Sequence, residues 1–201
     1  MGAATEEFQG RLRDAQVDPS AIRDLLDGLS HGERVDAIRS LGRGAQRRLY
    51  AAVDGFLPLR LADLVPPSVE DGATVRHFGR NTLPVFTHFE KRFCRPVGAD
   101  SRTPDALHGF NFQKLAPLTG PGYFVAREDP NRPEVWVDYT RLPDAHPAGW
   151  PEIVPNDRSL ARFVYGFMVD TLRRVSEHVT IGSAARRGRD LGSWFVLCRE
   201  G

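Results

Sequence analysis

NDRSLARFVYGFMVDTLRRVSEHVTIGSAARRGRDLGSWFVLCR, residues 156–199, sets how every other segment of the chain is interpreted. Asn156 and Asp157 follow Pro155, and either side chain can accept backbone N–H bonds from the first turn of a helix. Leu160, Phe163, Val164, Phe167, Met168, Leu172 and Val175 then recur at the spacing that puts apolar side chains on one helical face. Arg158, Arg162, Asp170, Arg173, Arg174 and Glu177 fall largely off that stripe, with Asp170 and Arg174 placed as a solvent-side i,i+4 pair. A long amphipathic helix over 158–176 is expected. Beyond it the period changes to two. Val179-Thr180-Ile181 is β-branched, Arg187-Gly188 offers a turn, and Ser193–Cys198 is almost wholly apolar, which predicts a buried hairpin.

Upstream, Ala73–Phe78 alternates as a first strand, and Asn81-Thr82-Leu83-Pro84 reads as a helix start. Val85, Phe86, Phe89 and Phe93 would form that helix's apolar face, with Thr87, Glu90 and Lys91 opposite. Three further strands are expected: one through Phe110, Phe112 and Lys114, then Tyr123–Arg127 and Val135–Thr140. The turns Gly120-Pro121-Gly122 and Glu128–Pro133 join them into an antiparallel meander. Residues 141–155 are broken by Pro143, Pro147, Pro151 and Pro155, with Trp150 as their anchor.

Residues 1–55 read as short helices. Thr5 caps a first segment carrying Phe8 and Leu12, and Asp18-Pro19 starts a second. Ser30 and Glu33 fit a capping box before Val35, Ile38 and Leu41, and a fourth helix runs from Gly44 to Val53. Residues 56–72, with Pro58, Pro66 and Pro67, read as a linker before a sheet domain over 73–201. The expected fold is α+β: N-terminal short helices, then a curved antiparallel sheet of about six strands, ordered β-α-β-β-β-α-β-β and packed on the long helix.

With 201 residues, 41% hydrophobic and 26% charged, the chain has an ordinary globular composition. A net charge of +1 gives no whole-chain bias toward nucleic acid, acidic lipid or acidic substrates. Cys94 and Cys198 lie outside metal-ligand spacing and read as buried thiols of a reducing compartment. There is no basic segment followed by an apolar core at the N-terminus and no apolar run long enough for a bilayer, so a cytoplasmic location is expected.

No Walker loop, GxGxxG, GxSxG or kinase signature is present, and no cofactor is expected. The histidines His31, His77, His88, His108, His146 and His178 show no HxH, HxxxH or HExxH spacing, so no metal site is expected. Aromatic residues on the strands, interleaved with polar groups, suggest a small, partly apolar ligand held between sheet and long helix. Arg76, His77, Arg127, Tyr139 and His178 are the groups that would orient it. A second reading is a cofactor-free enzyme in which His77 or His178 acts as base and Asp138 orients it. A third is a protein-interaction module that docks a partner through the helices of residues 5–55 or the Arg186–Arg189 turn.

Overall fold

A computed structural model describes residues 2–84, 87–112, 120–156 and 165–201. Eight strands follow one another around a closed barrel: β1 (Val75–Asn81), β2 (His88–Cys94), β3 (Leu107–Phe112), β4 (Tyr123–Glu128), β5 (Val135–Asp138), β6 (Met168–Arg174), β7 (Val179–Arg186) and β8 (Arg189–Arg199). Each strand pairs antiparallel with the next, and β1 pairs with β8 from His77↔Arg199 to Asn81↔Phe195, which leaves no free edge. The β7–β8 hairpin turns through Arg187 and Gly188, whose φ values of 52° and 74° suit the turn type that matches the twist of paired strands.

This closed barrel overturns the expected six-strand sheet packed on a long helix. Met168–Arg174, assigned to that helix, is strand β6; residues 157–164, its expected first half, lie outside the described residues. The helix expected from Asn81 through Phe93 is overturned where the chain is described: His88–Cys94 is strand β2, paired with β1 and β3, while Val85 and Phe86 of that helix lie outside the described residues. In both segments the apolar residues fit a helical stripe better than a two-residue alternation, because Lys91 and Asp170 occupy inward strand positions. Long-range pairing, invisible locally, selects the strand. The β3–β4–β5 meander and the C-terminal hairpin lie where the sequence puts them, except that Lys114, expected to extend β3, lies outside the described residues.

Inward positions follow the pleat: Phe89, Lys91 and Phe93 on β2, Val135 and Val137 on β5, Asp170 and Leu172 on β6. Three inward glycines sit opposite three phenylalanines, in the pairs Gly79↔Phe89, Gly109↔Phe124 and Gly182↔Phe195. Each ring lies over its glycine, so that a Cβ there would fall within 2.8, 2.4 and 2.2 Å of ring carbons. Bare backbone on one strand thus makes room for an aromatic ring from the next, and the barrel interior fills without splaying the strands.

The N-terminal helices α1 (Ala3–Arg11), α2 (Pro19–Asp27), α3 (His31–Arg39) and α4 (Arg43–Ala52) lie against the outside of the barrel. Asp18 caps α2 by accepting from Ser20 N and Ala21 N, and Ser30 with Glu33 forms the expected capping box on α3. α1 differs from expectation: Gly2 occupies its N-cap, and Thr5 lies buried within it. Phe8, Ile22, Leu26, Ile38 and Leu49 share one apolar cluster with Val179, Ile181, Val196 and Cys198 of β7 and β8. The helices' apolar faces are therefore spent on the barrel wall. The proline-bearing segment 141–155 covers another part of the outer face, where Trp150 packs on Phe110 and Tyr123 and donates to Thr74 Oγ1 at 2.7 Å.

The short helix α5 (Leu61–Leu64) fills one end of the barrel, where Leu59, Leu61, Leu64 and Val65 join the interior core. No described residue closes the other end.

Candidate functional site

At the open end the interior holds a cavity of about 300 Å³. Phe89, Met168, Leu191, Trp194 and Phe195 form its apolar walls, and Leu83 and Leu191 stand exposed on the rim. Leu191 and Gly192 lie at an irregularity in the β7–β8 ladder, where register shifts between Ala184 and Ala185. Such bulges re-aim side chains at barrel rims.

The floor of the cavity is polar. Lys91 on β2 and Asp170 on β6 enter the barrel from nearly opposite walls and meet with Nζ 3.3 Å from Oδ2. Asn111 on β3 and Tyr139, just after β5, complete the group. Lys91 Nζ donates to Asn111 Oδ1 at 3.2 Å and to the Tyr139 hydroxyl oxygen, and Asn111 Nδ2 donates to that same oxygen at 2.9 Å. The rings of Phe124, Tyr139 and Phe195 surround the ammonium at 5.0, 4.8 and 4.8 Å from their centroids, within cation–π range. Tyr165 stacks on Tyr139 at 5.3 Å and fixes the ring from the other side.

Burial dominates the electrostatics of this floor. It lowers the pKa of Lys91, opposed by the Asp170 charge, and raises that of Asp170, opposed by Lys91. Tyr139 is raised well above its ordinary value, by burial first and the Asp170 charge second, so its hydroxyl keeps its proton. One atom stands out: Asp170 Oδ1 is buried and has no hydrogen-bond partner among the described residues.

Of the residues expected to orient a ligand, Tyr139 lines this cavity. Arg76 lies on the outer face in a two-pronged ion pair with Glu90, at 2.7 and 3.2 Å. Arg127, also outside, has Nη2 3.6 Å from Asp138 Oδ2. Asp138 itself accepts from the Thr140 amide at 2.9 Å and hydroxyl at 2.6 Å. His77 points inward at the α5 end, with Nε2 3.0 Å from the Leu64 carbonyl. Burial lowers its pKa from 6.5 to about 3, the Leu64 contact opposing. His178 borders that same end, its Nε2 3.6 Å from Glu177 Oε1. The structure therefore brings neither histidine to Asp138, and it places Tyr139 alone of the expected set with Lys91 and Asp170. Among the described residues no group of three or more His, Cys, Asp or Glu side chains is placed to hold a metal ion.

Sequence pattern alone does not single out Lys91, Asn111 or Asp170, and it puts Lys91 and Asp170 on the solvent-facing sides of helices. One signal was present. In a chain whose basic residues are nearly all arginine, Lys91 is one of two lysines and stands between Phe89 and Phe93 at strand alternation.

The fold and site together define a closed eight-stranded antiparallel barrel with a polar-floored cavity at one mouth. Comparisons with protein-family models, curated proteins and solved structures find no match to this chain. No helix among the described residues is long and apolar enough to cross a membrane. Outward-facing Arg76, Glu90 and Arg92 form an ion-paired charged patch on the β1–β2 wall.

Proposed function

We propose that the chain binds a small, partly apolar molecule in the open mouth of the barrel, with the Lys91–Asp170–Tyr139–Asn111 cluster meeting its polar end. The observation that carries this reading is a buried, hydrogen-bonded charge pair at the bottom of an otherwise apolar cavity. A pair placed there costs desolvation that leucine or methionine would avoid, so it is poor evidence for stability. Apolar walls with a few convergent polar groups are the usual anatomy of a small-molecule site. Eight-stranded barrels of this kind either fill with side chains or retain room for one small ligand. A dry cavity of about 150 Å³ holds benzene, so about twice that volume suits a body of roughly two fused rings.

The test uses 2-naphthol as probe. Isothermal titration should show one saturable site per chain, and Trp194 on the cavity wall should report it by a change in emission. Ala184→Phe directs a ring into the cavity and should abolish binding while far-ultraviolet circular dichroism stays unchanged. Equal binding by a folded Ala184→Phe protein, or none by the wild type, removes the proposal.

A further inference from the structure

Resting on that reading of the cavity, we infer that its ligand is a neutral molecule that offers a hydrogen-bond donor, a hydroxyl or N–H, to Asp170 Oδ1.

A count of donors and acceptors leads there. An ammonium has three N–H donors and no acceptor. Those of Lys91 face three acceptors, Asn111 Oδ1, the Tyr139 oxygen and Asp170 Oδ2, so Lys91 has nothing left to give an incoming group. The Tyr139 oxygen already receives both Lys91 and Asn111, and its own O–H is engaged with the Asp170 carboxylate, so it too has nothing left to give. The buried polar atom of this floor with no partner among the described residues is Asp170 Oδ1, which lies on a side chain only 4% exposed. Asp170 lines the cavity, its Oδ1 is covered and unpartnered, and buried polar atoms are nearly always paired, so a ligand at this floor that brings a donor would complete it.

The chemistry of Oδ1 then sorts ligands. It is an acceptor in either proton arrangement of the pair: a proton leaving Lys91 Nζ along the 3.3 Å contact arrives on Oδ2, not Oδ1. A carboxylate or sulfonate offers acceptors only, so it would face Oδ1 acceptor to acceptor. The lysine charge does not rescue it, because that charge is already engaged. A ligand ammonium would supply donors but would add an uncompensated positive charge to a floor whose pair sums to zero. A phenol, alcohol or primary amide on an apolar body fits both constraints.

Four naphthalene probes of one size separate these cases: 2-naphthol, 2-methoxynaphthalene, 2-naphthoate and 2-naphthylmethylammonium, each titrated calorimetrically. The naphthol should bind at least about tenfold more tightly than each of the others, the scale of a hydrogen bond to a charged group. The double substitution Lys91→Met with Asp170→Leu replaces the pair by apolar groups of similar volume. It should bring 2-naphthol and 2-methoxynaphthalene to equal affinity, with melting temperature confirming the fold. Binding of naphthol and its methyl ether with equal affinity by the wild type, or tighter binding of 2-naphthoate, overturns the donor assignment but leaves the cavity a ligand site. Binding of none of the four overturns both.

Discussion

Lys91 and Asp170, 79 residues apart in sequence, meet inside the barrel at 3.3 Å with side chains 2% and 4% exposed. Neither strand could be repaired locally if the other's charge were removed. Lys91→Met alone leaves the Asp170 carboxylate buried without its counter-charge and should cost about 3–5 kcal/mol. Adding Asp170→Leu should recover most of that loss. Urea unfolding of the two single variants and the double variant measures it, and a double variant no more stable than Lys91→Met would contradict the pairing.

His77 makes the native state acid-sensitive. Its folded pKa of about 3 lies below the unfolded value of 6.5, because charging the ring at the α5 end is penalised by burial. The unfolded chain therefore takes up this proton first. Stability due to the neutral ring is complete above about pH 6.5 and is lost as pH falls toward 3, by up to about 1.4 kcal/mol per pH unit. His77→Gln cannot titrate, so the gap between its urea midpoint and that of the wild type should change in its favour as pH is lowered.

The glycine–phenylalanine pairs predict opposite signs at two alanine substitutions. At Gly109 a Cβ would lie 2.4 Å from the Phe124 ring and 2.6 Å from the Arg92 carbonyl oxygen, so Gly109→Ala should destabilise by about 1–3 kcal/mol. At Gly44, inside α4 with nothing within 4 Å, Gly44→Ala should stabilise by about 0.4–1 kcal/mol. Thermal denaturation of both proteins decides it.

Ser30→Ala removes the side chain that accepts from Glu33 N and the hydroxyl that donates to Glu33 Oε2 at 2.6 Å. A loss of about 1 kcal/mol is expected, read as a lowered urea midpoint. The cavity should be untouched, so 2-naphthol affinity at low denaturant should not change.

The signals that could be read directly from the chain were local ones. Asp18, Ser30 and Glu33 announce helix starts through chemistry confined to four residues, and Arg187-Gly188 announces its turn in the same way. β2 and β6 defeat the local pattern for a shared reason. A half-buried strand is recognised by apolar residues facing in and polar ones facing out, and these two strands turn Lys91 and Asp170 inward. Putting a lysine and an aspartate on the inner face erased the alternation and let a helical stripe through Phe89 and Phe93, or through Met168 and Leu172, look better. The candidate site was thus hidden by the same two residues that compose it. Tyr139 was selected because its neighbours Val135 and Val137 kept a clean inward pattern. Closure of β1 on β8 depends on partners more than a hundred residues apart and leaves no local trace.

With α5 lodged in the far end, the described residues leave the barrel a flask with one neck. A guest bound as proposed would leave by the path it came, and a second could not arrive until the first had gone. Replacement of one guest by another should then proceed at the departure rate of the first, however concentrated its rival.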